Sequence, residues 1–282
     1  MSSIIDLHTH STASDGTDEP IQLVQAAKSA GIQIIALTDH DTVSGTKTLA
    51  EHPVEGITVF HGIEFSCRMV TGKCHVLGYC CNTDHLDFQA ALRESAALRE
   101  GKLNLRLNFL RDRGITFPAE ELDELHQIAG VGKPHLANLM VKYGYAPSRQ
   151  EAIQNTINLC ATRSSRISAE TAVKAILASG GIPVWAHPLG GEGEKKVSWE
   201  QFHWMLDELT GYGLMGMECW YSRYTLDCCE SLFEIAQERG LLISGGSDYH
   251  GMNKDIALGT LNAERKDIIS SQITILDALL KR

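Results

Sequence analysis

The sequence predicts an α/β fold, a β/α barrel that carries an inserted helical subdomain. Short, nearly all-apolar runs alternate with amphipathic stretches up to about residue 85, and again from about residue 163. Such runs are typical of parallel strands covered by helices, and their alternation with helices is the rhythm of a barrel. Residues 86–162 show helical periodicity and no convincing strand. The 282 residues are enough for one large core and one insertion.

The barrel elements follow in chain order. The first helix is predicted from Pro20 to about Gly31, because an acidic residue and proline are start signals and glycine is a stop signal. Further helices are expected at residues 168–181, 199–213 and 225–240. The expected strands are residues 4–7, 33–37, 57–60, 74–79, 182–187, 214–219 and 241–248. We therefore assign residues 1–85 and 163–282 to the barrel.

The segment 86–162 is interpreted as a helical subdomain that caps the substrate. Its predicted helices are residues 87–114, 119–125, 134–144 and 148–159. No internal repeat or low-complexity linker separates the segment from the barrel. We therefore expect one barrel with an insertion, and not two tandem domains.

The charge balance argues against long duplex DNA as a partner. The formal net charge is −10 and the sequence pI is about 5.6, whereas a nucleic-acid binder normally has a strongly basic face. Carboxylates that bind metal ions would account for part of this acidity, and the bound cations would offset it.

Cysteine usage and hydropathy predict a soluble, cytoplasmic protein with no membrane partner. The eight cysteines include two adjacent pairs and no C-x-x-C unit, which favours reduced thiols over a disulfide framework. The first residues contain neither a basic region nor a long apolar run. No stretch approaches the ~20 apolar residues that a membrane-spanning helix needs.

Residue types that bind metal ions gather where the predicted strands end. In a barrel of parallel strands these ends converge on one face, where catalytic residues collect. His75 stands at the start of its strand, so it fits this face only if that strand is antiparallel or the residue lies in a loop. The residues at or just beyond strand ends are Asp6, His8, His10, Asp15, Asp39, His40, Asp41, Glu64, His187, Asp248 and His250.

Each of these residues also has an ordinary structural interpretation. Asp248 could cap a helix, because aspartate is favoured at that position, and Glu64 could be a solvated hairpin residue. These interpretations are roughly independent, so the joint pattern indicates a metal site better than any single residue does. Imidazole and carboxylate ligands without thiolate suit Mn²⁺, Fe²⁺ or Zn²⁺. Two such cations ~3.5–4 Å apart would suit hydrolysis of a phosphate ester.

The chain resembles the polymerase and histidinol phosphatase (PHP) family of metal-dependent phosphoesterases. The motifs DLHTHSTASDG, ALTDHDT, GIEFS, HVLGY, AHP and GSDYHG occur in the family's order. The resemblance covers residues 1–80 and about 166–260, and the insertion is similar to that of the branch acting on nucleotide 3′,5′-bisphosphates or RNA ends. It implies a distorted (β/α)7 barrel with two or three divalent cations.

The resemblance also implies a ligand set. One cation would be held by His8, His10, Glu64 and Asp248. A second would share Glu64 and take His75 and His187, and a third would take Asp15, His40 and His250. Asp248, His250 and His187 are the candidate catalytic residues.

Candidate substrate contacts lie mainly in the insertion and just after it. Pro134 can start a helix, whose N-terminus can bind phosphate, and GKPHLAN resembles a family segment that faces the substrate. Lys133 stands where that segment has arginine, which keeps the charge but loses bidentate geometry. The predicted contacts are Lys133, His135, Arg163, Arg166 and Ser66.

The expected activity is hydrolysis of a small phosphate ester by a hydroxide that bridges the cations. The candidate substrates are a nucleoside 3′,5′-bisphosphate, a cyclic sugar phosphate and a short RNA end. Two alternatives stay open at this point. One is an amide or lactone hydrolase of the amidohydrolase type, and the other is a metal-stabilised, non-catalytic module that binds nucleotides.

Overall fold

A computed structural model describes residues 4–162 and 166–282 of the chain. Within these ranges, eight strands form one sheet that curves into a nearly closed barrel, with helices around it. The strands are β1 (Ile5–Thr9), β2 (Ile34–Leu37), β3 (Thr58–Arg68), β4 (Lys73–Tyr79), β5 (Ile167–Ser168), β6 (Ile182–Ala186), β7 (Gly216–Tyr221) and β8 (Leu242–Gly246). The predicted α/β barrel with a helical insertion is confirmed.

Ten α-helices occur in the same described ranges. The barrel helices are α1 (Pro20–Ser29), α2 (Ser44–Glu51), α7 (Ala169–Ala178), α8 (Trp199–Tyr212), α9 (Leu226–Glu238) and α10 (Leu276–Leu279). The inserted helices are α3 (Leu86–Arg111), α4 (Ala119–Gln127), α5 (Lys133–Lys142) and α6 (Arg149–Asn155). None of the described helices is both long and apolar enough to cross a membrane.

The sheet closes between its last and first strands. The order along the sheet is β1-β2-β3-β4-β6-β7-β8, and the two-residue strand β5 pairs with β3. The N–H of Asp248 donates to the carbonyl of His8 at 2.8 Å, and the N–H of His10 donates to the carbonyl of Tyr249 at 2.9 Å. Gly246 permits this approach, because a Cβ there would lie 2.3 Å from the Cβ of His8.

Strand β4 runs antiparallel to both of its neighbours, β3 and β6. In this register Ser66 pairs with His75, and His75 pairs with Ala186. The beginning of β4 therefore lies at the rim where the parallel strands end. This confirms the condition under which His75 was predicted to join the other ligand candidates.

Four elements differ from the prediction, and two of them, the two-residue strand β5 and the four-residue helix α10, were not predicted. Strand β3 extends to Arg68 instead of ending near residue 60, because its second half alternates core residues such as Phe65 with polar residues such as Glu64 that face the barrel interior. Helix α2 was not predicted either, because among its eight residues only Leu49 is a large apolar one.

Helix α3 belongs to two hydrophobic clusters. Phe88 near its start packs edge-on against Phe65 of the barrel, with ring centres 5.9 Å apart. Leu103 and Leu110 near its end belong to a separate cluster formed with the other inserted helices. The helix thus joins the insertion to the barrel. The domain boundaries at residues 86 and 162 stay a prediction.

Candidate metal centre

The nine predicted metal ligands come together at the rim of the barrel. They come from different strands: His8 lies on β1, Glu64 on β3 and His75 on β4, while His187 directly follows β6 and Asp248 lies two residues after the end of β8. The remaining members of this cluster are His10, Asp15, His40 and His250. Their ligand atoms form overlapping groups that could each hold a metal ion.

The first group is His8, His10, Glu64 and Asp248. Glu64 Oε2 lies 3.3 Å from His8 Nε2 and 3.2 Å from His10 Nε2. Asp248 Oδ1 lies 3.6 Å and 3.4 Å from the same two nitrogens. Two ligands bound tetrahedrally to one ion at about 2.1 Å are about 3.4 Å apart. The spacing therefore fits a shared cation.

The second group uses the other oxygen of Glu64. Glu64 Oε1 lies 3.0 Å from His75 Nδ1 and 3.0 Å from His187 Nε2, and these two nitrogens are 3.3 Å apart. Glu64 is fully buried and presents one oxygen to each group. It is therefore placed to bridge two cations.

Asp15, His40 and His250 form the third group, to which His10 is also close. Asp15 Oδ1 lies 3.3 Å from His250 Nε2 and 3.8 Å from His40 Nε2. His250 Nδ1 lies 2.8 Å from the carbonyl oxygen of Asp248, which can accept its proton and so leave Nε2 free as a ligand. His40 Nδ1 lies 2.9 Å from Glu64 Oε2, so His40 stands between two groups.

A test of fit comes from buried polar atoms within the described residues. Buried polar atoms are normally hydrogen-bonded, and each unpaired one requires an explanation. At the centre several such atoms have no hydrogen-bond partner, and a bound cation would satisfy them. These atoms are His8 Nε2, His10 Nε2, Asp15 Oδ1, His40 Nδ1 and Glu64 Oε2.

Charged groups behind the ligands orient them. Glu218, fully buried on β7, accepts a hydrogen bond from the backbone N–H of His187 at 2.8 Å and lies 2.9 Å from His8 Nδ1. Lys254 Nζ donates to Asp248 Oδ2 at 2.5 Å. Neither supporting residue was predicted. The available signal was an acidic residue inside the otherwise apolar strand GMECWY.

The backbone is strained at two ligands. His187 has a φ of 28° and Asp248 a φ of 57°, a left-handed region that non-glycine residues seldom adopt. Such strain persists where surrounding contacts fix the conformation, and it clusters at functional sites. Asp248 caps no described helix, because its carboxylate contacts histidines, Lys254 and Tyr221. The helix-cap interpretation is therefore wrong.

Opposite charges shift the pKa values at the centre. Burial lowers the pKa of His10, but the nearby carboxylates of Asp248 and Glu64 outweigh it and raise that pKa to about 9. Burial raises the pKa of Glu64, yet the nearby His40, His75 and His8 hold it well below its usual range. A cation that binds here therefore meets ionised carboxylates and displaces protons from histidines.

A cavity of about 290 Å³ opens directly on the centre. Of the predicted substrate contacts, Ser66, Lys133 and Arg166 line it, and Arg163 lies outside the described residues. His135 is not among the lining residues; its Nδ1 accepts a hydrogen bond from the backbone N–H of Gly132 at 3.0 Å. Its role as a phosphate contact stays a prediction.

Helix α3 adds basic residues that the sequence analysis missed. Arg99, Lys102 and Arg106 recur at helical spacing and line the cavity. Arg99 is bound to Asp41, whereas Arg106 Nε and Arg166 Nη1 are buried and have no hydrogen-bond partner in the described ranges. Burial, and then Arg106, Arg166, Arg99 and Lys133, lower the pKa of Lys102 to about 7. We call Lys102, Arg106, Lys133 and Arg166 the cationic wall.

Comparison with known proteins identifies relatives over nearly the whole chain. A 5′-3′ exoribonuclease of Haemophilus influenzae is 30% identical over 98% of both chains. A phosphoribosyl 1,2-cyclic phosphate 1,2-diphosphodiesterase of Eggerthella lenta is 28% identical over 88% of this chain and 94% of its own. A 3′,5′-nucleoside bisphosphate phosphatase of Chromobacterium violaceum is 26% identical over 87% of each.

Solved structures share the architecture. A candidate metal-dependent phosphoesterase of Bifidobacterium adolescentis has a TM-score of 0.79 at 25% identity, over 95% of this chain and 94% of its own. A C. violaceum protein described as an amidohydrolase has a TM-score of 0.85, over 99% of this chain and 96% of its own. Its 23% identity means that this likeness shows the fold alone. A model of the PHP domain matches residues 6–158. The chain therefore belongs to the PHP family, as a metal-dependent phosphoesterase.

Proposed function

We propose that the chain hydrolyses a phosphate ester in a nucleotide that carries a second phosphate. A nucleoside 3′,5′-bisphosphate and the end of a short RNA both meet this description. The observation that carries the proposal is that the cationic wall and seven of the nine predicted metal ligands, all except His8 and His10, line one cavity. The positive charges of the wall would bind the second phosphate of the substrate, the one that is not at the metal ligands.

The ligand assignment follows the distances. His8, His10, Glu64 and Asp248 would hold one cation, and Glu64, His75 and His187 a second. Asp15, His40 and His250 would hold a third. Divalent cations bound there would polarise the phosphoryl oxygens and supply an activated water. Mn²⁺, Fe²⁺ and Zn²⁺ all suit these ligands.

Residues of the chain position the substrate and move protons. We assign phosphate binding to the cationic wall and to Ser66, whose hydroxyl lies within 3.2 Å of Arg99. Asp248 contacts His10 through Oδ1, while Oδ2 accepts hydrogen bonds from Tyr221 at 3.1 Å and from Lys254. This network gives a proton a route to the leaving oxygen. His250 and His187 remain the other candidates for proton transfer.

Two relatives make the nucleotide assignment more specific than phosphate hydrolysis in general. They are the exoribonuclease and the 3′,5′-nucleoside bisphosphate phosphatase. The diphosphodiesterase supports a second candidate, a cyclic sugar phosphate. That substrate also carries two phosphates but has no base, so a direct comparison of substrates, and not the wall alone, separates the two candidates.

The test is a comparison of matched substrates on Mn²⁺-loaded protein. A nucleoside 3′,5′-bisphosphate would be compared with the corresponding nucleoside monophosphate. A 5′-phosphorylated trinucleotide would be compared with the same trinucleotide without its 5′-phosphate. One charged hydrogen bond contributes about 1.5–3 kcal/mol, so kcat/KM should be roughly 10-fold to 100-fold higher with the second phosphate. Equal values, or faster hydrolysis of a cyclic sugar phosphate, would overturn the assignment.

A further inference from the structure

A glycine-rich loop of residues 188–197 lies against the outer side of two proposed metal ligands. Glu194 on this loop has Oε1 at 3.7 Å from His75 Nε2 and Oε2 at 3.5 Å from His187 Nδ1. The opposite nitrogens of the same two histidines face Glu64 at 3.0 Å. One carboxylate therefore faces the outer nitrogens of both histidines, and another faces their inner nitrogens.

His75 and His187 each need an acceptor on their outer side. A neutral imidazole has one free lone pair and one N–H, so a ring that ligates through its inner nitrogen presents an N–H outward. Metal-bound histidines almost always donate that N–H to a carboxylate, a carbonyl or a water. His75 Nε2 is buried and has no hydrogen-bond partner within the described residues, and Glu194 is the carboxylate that faces it.

We infer that Glu194 is a positioning residue for the second cation. It accepts the outer N–H groups of His75 and His187, fixes their tautomers and aims their inner nitrogens at the site that Glu64 shares. The inference rests on the proposed function, because it requires a cation at that site. The distances from the Glu194 oxygens to His75 Nε2 and His187 Nδ1 exceed a normal N–H···O bond by about 0.5–0.7 Å. A shift of the loop toward the histidines by that amount would complete both hydrogen bonds.

The loop is built to hold this carboxylate. The backbone N–H of Gly191 donates to Glu194 Oε2 at 3.0 Å, and the N–H of Glu194 donates to the carbonyl of Gly191 at 3.1 Å. A Cβ at Gly191 would lie 3.1 Å from His187 Nδ1, so only glycine fits comfortably there. Arg223 binds Glu192 through two nitrogens at 3.0 and 2.8 Å, which fastens the loop to the barrel.

A different role for Glu194 is direct ligation of an additional cation. The three side chains could form such a group. That arrangement would require both nitrogens of each histidine to bind metal, and a neutral imidazole lacks the second lone pair. The 3.3 Å contact between His75 Nδ1 and His187 Nε2 at Glu64 instead favours ligation by the inner nitrogens.

The experiment titrates metal-free protein with Mn²⁺ and measures the number and affinity of bound ions. Glu194→Gln removes the charge and leaves one acceptor for two N–H groups. The weakest-bound cation should lose about 10-fold to 100-fold in affinity, with an unchanged number of ions at saturation. Glu194→Asp should restore part of the affinity. Glu200→Gln is the matched control, because it makes the same change at an exposed position just beyond the loop, at the start of α8.

The outcomes separate this inference from the proposed function. An affinity loss in Glu194→Gln but not in Glu200→Gln supports a positioning role. A Glu194→Gln titration equal to that of wild type overturns the inference, even if wild type binds Mn²⁺ and hydrolyses phosphate esters. If Glu194→Gln binds one Mn²⁺ ion fewer than wild type at saturation, the inference is overturned in favour of direct ligation. If wild type binds no divalent cation, the proposed function fails together with it.

Discussion

Some residues of the metal centre could be predicted from the sequence, and others could not. His8, His10 and Asp248 could be predicted because they lie at or just after strand ends, and the ends of parallel strands meet at one rim. Glu218 and Glu194 could not, because their contacts with His8 and His75 depend on elements far apart in the chain. Such a residue becomes recognisable only when the fold brings the partner near.

At the residue scale, Asp248→Asn tests both catalysis and stability. The change removes a charged oxygen from the first cation group, and it leaves the largely buried Lys254 without its carboxylate. General acid–base roles contribute about 10²–10⁴-fold, so kcat should fall at least about 100-fold. The metal-free protein should also melt at a lower temperature, because breaking a buried ion pair is destabilising.

The matched control for Asp248 is Asp248→Asn combined with Lys254→Met, which removes both charges of the pair. The double variant should recover thermal stability and not kcat. Thermal melts without metal and initial rates with saturating Mn²⁺ measure the two effects. A single variant that keeps a kcat within a few-fold of wild type would show that Asp248 has no role in the chemistry.

At the scale of elements, the long helix α3 supplies side chains to the cavity. The sequence predicted its length, since helical periodicity extends over residues 87–114, but its contribution to the cavity was missed. A charged residue on a helix is usually solvated, so a pattern of charges alone did not show that Lys102 and Arg106 point inward. The end of β3 was predicted too early for a similar reason. The polar residues in its second half face a barrel interior that is itself polar, so they did not read as part of a strand.

The basic residues of α3 predict a pH dependence for substrate binding. The pKa of Lys102 is lowered to about 7, so its ammonium is charged below pH 7 and loses its proton as the pH rises. KM should therefore increase above pH 7, by roughly 10-fold to 100-fold for the loss of one charged hydrogen bond. Arginine stays charged throughout this range, so Lys102→Arg should flatten the increase. KM measured from pH 6 to 9 at saturating Mn²⁺ tests this, and superimposable profiles for both proteins would contradict it.

At the scale of the whole molecule, cations bound at the metal centre would stabilise the closed barrel. The ligands of this centre come from both ends of the sheet, so cations that bind only the folded chain stabilise the closed barrel. A ligand present at 100 times its Kd adds about 2.7 kcal/mol, and each kcal/mol raises the Tm of a chain this size by about 2–4 °C. Mn²⁺ at that level should raise Tm by about 5–10 °C.

This thermal shift is measured by melting the protein with Mn²⁺ and with excess chelator. Glu64→Gln is the matched variant, because it removes the bridging charge and should lose most of the shift. Equal melting temperatures for wild type under both conditions would mean that cations do not bind the folded barrel in preference to the unfolded chain.

The closure of β8 on β1 has a consequence for biosynthesis. Asp6 accepts hydrogen bonds from Ser247, 241 positions later in the chain, at the seam that also joins His8 to Asp248. Ribosomes add about 5–20 residues per second, so roughly 12–50 s pass between the synthesis of His8 and His10 and the synthesis of Asp248. During that interval His8 and His10 are accessible to any metal ion, and the native set of ligands can select the final cation only after the last strand is released.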